Sequence, residues 1–156
     1  MAKEQDHPNI SPMVHPPIVA LMFIVLAYFI GRFAPVFIAP PALRYVGLLM
    51  TFIGFLLGIG AFMEFRKART TLDPHGAAKK VVTSGIYRFT RNPIYLGFLL
   101  MVIGLPLNSG LYWGILMAPL YMMTLTRLVI EREEAYREKK FKDVFTSYTS
   151  SVRRCL

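Results

Sequence analysis

The sequence predicts an all-α, polytopic membrane protein: about four transmembrane helices followed by a C-terminal amphipathic helix on the cytoplasmic side. Three observations carry that prediction. Hydrophobic residues make up 54% of the 156 and charged residues only 17%, a balance foreign to a soluble domain of this size. The apolar residues fall into four runs parted by turns rich in proline and glycine. Fifteen of the 18 Lys and Arg residues gather in two blocks beside those runs. Blocks so placed suit anionic lipid headgroups, so membrane lipids are the expected partner and nucleic acid is not, despite the formal charge of +9.

The length allows one domain, residues 1–156. Residues 1–16 form a polar, proline-rich tail without the apolar core and small-residue cleavage site of a secretory signal. Residues 17–63 hold the first two spans, 17–33 and 43–63, joined by a turn with Arg32, Pro35, Pro40, Pro41 and Arg44. Gly47, Gly54, Gly58 and Gly60 in the second are spaced for close helix contact. Residues 64–93 are a basic loop, and 94–130 a helical hairpin. Its first arm, 94–107, is short for a free-standing span. The turn at Pro106–Gly110 is tight enough to force the second arm, 111–130, antiparallel to the first. Residues 131–156 are the tail.

Orientation follows from charge. The loop and the tail hold fifteen Lys and Arg residues, whereas the two opposite turns hold only Arg32 and Arg44. Positive residues stay inside, which puts both termini, the loop and any chemistry on the cytoplasmic face of the membrane.

The chain is organised around residues 81–97, V-V-T-S-G-I-Y-R-F-T-R-N-P-I-Y-L-G. Pro93 biases Asn92 away from helical backbone and suits the first position of a new helix. Tyr87, Arg88, Arg91, Asn92 and Tyr95 thereby gather at a membrane helix mouth, where free N–H groups and the positive dipole end favour an anion. Interfacial anchoring by Arg and Tyr is the other reading of the same residues. In the tail, residues 127–148 read as one continuous helix. At about 100° per residue, Val129, Ile130, Tyr136, Phe141, Val144, Phe145 and Tyr148 share a side. Glu133 and Arg137 fall inside that stripe, with Glu134 at its edge. A carboxylate there either pairs with Arg137 at i,i+4 or answers a ligand's charge. His7, His15 and His75 lack ligand spacing, so no metal is expected, and the single Cys155 excludes an internal disulfide.

Taken together, G-I-Y-R-F-T-R-N-P-I-Y-L-G and, after a hairpin, E-R-E-E-A-Y-R-E-K-K-F-K-D-V-F-T-S-Y resemble the isoprenylcysteine carboxyl methyltransferase and phospholipid methyltransferase superfamily, small prokaryotic members above all. Thr71 and Pro74 match a recurring element ahead of the loop motif. Departures include Asn92 for a frequent His, Ile86 for Pro, Lys142 for the usual Gly after Phe141, and Phe145 for Tyr.

The resemblance implies an S-adenosylmethionine-dependent methyltransferase. Val82, Gly85, Tyr87, Arg91, Asn92, Pro93 and Tyr95 would line the cofactor site, with Glu133 and Glu134 taking the ammonium of its methionine moiety. It implies a lipophilic or lipid-linked substrate. Carboxyl O-methylation of the isoprenylcysteine type is the first expectation, with Arg127, then Arg91, as the cation that holds the acceptor. Phospholipid or amine N-methylation is the alternative. A sterol or enone reductase shares an R-x-P-x-Y-x-G element, and a non-catalytic membrane interaction module would need none of this chemistry. Oligomeric state has no sequence signature here.

Overall fold

Proline opens three of the helices, at positions whose N–H would have no partner anyway: α1 (Pro16–Phe33), α2 (Pro41–Ala68) and α3 (Pro93–Asn108). A computed structural model describes residues 14–35, 38–70 and 80–155, and among them it contains helices and no strand. After α3 come α4 (Trp113–Leu125), a π-helical turn (Thr126–Ile130) and α5 (Glu131–Ser151). A 3₁₀ turn, Gly85–Arg88, precedes α3.

Three stretches are long and apolar enough to cross a membrane: α1, α2, and the composite running from Trp113 to Ser151. The fourth apolar helix, α3, has only 16 residues. It spans about 24 Å, short of a hydrocarbon core of about 30 Å. The protein is an all-α integral membrane protein.

Its packing is arranged for lipid. Of the 28 residues of α2, only Gly47, Gly54, Ala61 and Glu64 are buried, while Leu48, Phe52, Phe55 and Leu56 face outward. Small residues inside and bulky ones outside is a pattern for a bilayer, where backbones gain by approaching closely. A Cβ on Gly104 would lie 2.6 Å from the Gly47 carbonyl oxygen, and one on Gly97 would lie 2.7 Å from that of Gly54. The two glycine pairs make α2 and α3 the most extensive helix contact. Gly58 faces open space and Gly60 only the tip of Ile86, so half of the expected glycine seam packs helices.

The end away from the loop is tied by Ala39 N–H to the Gly110 carbonyl (2.8 Å), Trp113 Nε1 to the Ala34 carbonyl (2.8 Å) and Tyr28 hydroxyl to the Leu105 carbonyl (2.8 Å). On the other side of α3, Phe23 of α1 meets Tyr121 of α4 edge-on within one apolar cluster that also holds Tyr95, Leu125, Val129 and Ile130.

Two expectations need correction. The run 111–130 is not one α-helix, because its last five residues widen into the π turn. Nor are residues 127–148 one continuous helix. Lys142 breaks α5 with φ 36° and ψ −114°, a conformation natural to glycine and strained for lysine. The break resets the phase of the stripe, which is why Val144 is exposed while Phe145 and Tyr148 are buried. Thr71, Pro74 and residues 1–13 of the N-terminal tail lie outside the described residues.

The strain at Lys142 has a measurable consequence. Lys142→Gly removes a penalty of order 1–3 kcal/mol and adds back roughly 1 kcal/mol of unfolded-state entropy. The net expectation is a higher thermal midpoint in detergent; a midpoint lowered by several degrees would mean the break costs nothing in lysine.

Candidate functional site

The loop motif is fixed first to the end of α2. Glu64, buried on the same seam as Gly47, Gly54 and Ala61, accepts the Ser84 hydroxyl and pairs with Lys67 at 2.8 Å. Gly85 follows in left-handed backbone (φ 57°), which turns the chain into the 3₁₀ helix directly against the Glu64 side chain. Val82 and Tyr87 pack with Ala61, and the Tyr87 ring stands edge-on to Phe65 at 5.6 Å. The Tyr87 carbonyl accepts the Tyr148 hydroxyl at 2.6 Å, which joins the loop to α5 beyond its break. Burial pushes the Tyr87 phenol far above its usual range, so it stays neutral.

The chain's end then lies across the motif. Arg91 N–H donates to the Arg153 carbonyl at 3.0 Å. The Arg154 carbonyl accepts both Asn92 Nδ2 (3.0 Å) and the Thr90 hydroxyl (3.2 Å). Asn92 therefore does not cap α3 with its side chain; it holds the tail. The strap carries Cys155 to a half-buried position, where burial raises its thiol pKa despite Arg154 nearby.

Where α3 meets α5, two carboxylates sit in a nest of donors. Glu133, 4% exposed, accepts the Tyr95 hydroxyl at 2.7 Å on one oxygen and Arg137 Nη2 at 2.8 Å on the other. Glu134 pairs with Arg91 at 3.1 Å and with Arg154 at 2.5 Å. The i,i+4 pair of Glu133 with Arg137 is thus formed, and the same carboxylate meets Tyr95 of the loop motif. Arg91 Nε is buried without a hydrogen bond among the described residues, and Glu134 Oε1 has only its ion pair with Arg91. An orphaned polar atom asks for a partner. The π turn ends just ahead of these glutamates, a widening often found beside functional sites.

Of the residues singled out from sequence, Tyr87, Arg91, Asn92, Pro93, Tyr95, Glu133 and Glu134 come together here. Val82 and Gly85 stand on the α2 side of the loop. Arg127 is not brought in; it is exposed on the π turn and makes no ion pair among the described residues. Glu64, Arg137 and the Arg153–Arg154 carbonyls complete the site without having been assigned to it from sequence. Glu64 was findable, since it extends the small-residue seam of α2 by three positions. The tail carbonyls were not, because backbone acceptors leave no mark on the side-chain pattern.

The sequence model of the phospholipid methyltransferase family matches residues 43–144, well over half of the chain. The chain belongs to the phospholipid methyltransferase family. No curated protein and no solved structure matches it. The stretch shared with the family runs from α2 through the loop motif and both glutamates to just past the break in α5. The strap, residues 152–155, falls beyond it. Membership makes the coarse activity methyl transfer to a lipid substrate at the membrane.

Proposed function

We propose that the protein is an S-adenosylmethionine-dependent methyltransferase whose cofactor site lies between the loop motif, the start of α3 and the glutamates of α5. One observation carries the reading: the Tyr95 hydroxyl stands 2.7 Å from Glu133, so two segments 38 residues apart in sequence enclose one charged, desolvated nest. The donor set fits the methionine end of the cofactor. An ionised carboxylate has about four acceptor positions, and Glu133 uses two of them, which leaves room for an ammonium. The unpartnered Arg91 Nε and the N–H groups at the start of α3 suit a carboxylate.

When bound, S-adenosylmethionine supplies a methyl group on a sulfonium, ready for in-line displacement. The protein's part is alignment in a dry site. Tyr95 and Arg137 fix Glu133, Arg154 and Arg91 fix Glu134, and Asn92 pins the strap over the motif. The excess of Lys and Arg in the loop and tail supports placing this face in the cytoplasm.

For the acceptor, carboxyl O-methylation of the isoprenylcysteine type remains our first reading. Arg91, half-buried in the nest, is a better cation for an acceptor carboxylate than the exposed Arg127. N-methylation of a phospholipid amine is the second, favoured by the family match and by Glu133, a buried carboxylate able to take a proton. The test is to incubate purified protein with methyl-labelled S-adenosylmethionine and a membrane lipid extract. A methyl ester loses its label as methanol in base, whereas an N-methyl group keeps it. Absence of labelled lipid, together with no thermal stabilisation by S-adenosylhomocysteine, would instead leave an interaction module.

A further inference from the structure

Tyr121 is the largest side chain in the bundle to be completely buried, and its hydroxyl has no hydrogen-bond partner among the described residues. Burying an unpaired hydroxyl is costly, and phenylalanine would fill the same space without that cost. The hydroxyl is not remote from the site. Tyr121 belongs to the apolar cluster that contains Tyr95, the residue bonded to Glu133. Tyr121 stands five residues before the π turn that leads into the glutamates of the nest.

We infer that the Tyr121 hydroxyl is an acceptor-binding group, donating a hydrogen bond to an anionic oxygen of a lipid headgroup that enters between the helices. This rests on the methyltransferase reading above, because it supplies the polar contact that reading leaves unassigned. Apart from Tyr95 the rest of the cluster is apolar, so a lipid tail can lie against its partly buried members Met117 and Met122 while its headgroup oxygen meets the phenol. The oxygen can belong to a carboxylate or to a phosphodiester. The chemistry recognised is the same, and the lipid differs.

The experiment compares wild type with Tyr121→Phe, purified in an uncharged detergent. N-acetyl-S-farnesylcysteine serves as the carboxylate probe and a short-chain phosphatidylethanolamine as the phosphate probe, each titrated for direct binding. We expect wild type to bind one of the two, and the variant to bind that one roughly tenfold more weakly, the usual worth of a single hydrogen bond. Stabilisation by S-adenosylhomocysteine should be the same in both proteins, and the thermal midpoint of the variant unchanged or higher. Equal affinity of the two proteins, no binding of either probe by wild type, or a lowered midpoint in the variant would overturn the assignment. Absence of any response to S-adenosylhomocysteine in wild type would fault the cofactor reading alone, since lipid binding is read separately.

Discussion

Glu133→Gln should abolish stabilisation by S-adenosylhomocysteine and lower the thermal midpoint of the unliganded protein. The two effects have separate causes. Glutamine keeps one acceptor oxygen and presents an amide donor where the second oxygen stood. Tyr95 and Arg137 both donate to Glu133, so the amide would face either Arg137, which cannot accept, or Tyr95, which must turn from donor to acceptor, and in both cases Arg137 loses its counter-charge. Stranding a buried charge by removing its partner costs about 3–5 kcal/mol, and the lower end applies because the Arg137 side chain keeps 25% of its exposure. That is a large share of a stability of roughly 5–15 kcal/mol.

The second effect belongs to the ligand, and a second substitution separates it from the first. Glu133→Gln with Arg137→Met removes the stranded guanidinium and keeps an apolar stem of similar reach. The double variant should regain most of the lost midpoint and still fail to respond to S-adenosylhomocysteine. A wild-type response in either variant would take Glu133 out of the cofactor site. Failure of the double variant to recover would mean that the unpaired charge was not the source of the instability.

The membrane bundle was legible because its signals are side-chain signals. Pro41, Pro93 and the runs of apolar residues mark helix starts and spans, and Gly47 and Gly54 announce a close approach. That Glu133 needs partners was legible for a different reason, since a carboxylate inside an apolar stripe is expensive; that Tyr95 stands with it came only from the family resemblance. Harder features lie in the backbone. The π turn at Thr126–Ile130 and the break at Lys142 shift helical phase, and periodicity at 100° per residue carries through both unseen. Lysine at position 142 conceals the break further, since glycine there would have advertised it. Arg127 shows the converse: a cation at the end of a span reads as functional in a line of text, yet its direction depends on the turn it occupies.

Gly85→Ala, at an exposed position, is expected to disrupt the site from a distance. Left-handed backbone at φ 57° costs a residue with a Cβ about 1–2 kcal/mol. Alanine would also place its Cβ 2.5 Å from Glu64 Cδ and 2.7 Å from Oε1, inside any real contact distance. Glu64 cannot swing aside freely, because Ser84 and Lys67 both hold it. The 3₁₀ turn must therefore move, and with it the Tyr87 carbonyl that receives Tyr148 and the register of Arg91 against Glu134.

The expected outcome is loss of most methyl transfer, with a drop in thermal midpoint larger than backbone strain alone would give. The cause can be isolated by a cycle with Glu64→Ala, which removes the colliding atoms but leaves the left-handed strain in place. Residues in contact do not act additively, so Gly85→Ala should be milder in the Glu64→Ala background than in wild type. Strict additivity of the two midpoint shifts would mean that alanine fits beside Glu64 and that only the backbone objects. If full activity survived Gly85→Ala, the clamp between α2 and the loop could not be what positions Tyr87 and Arg91.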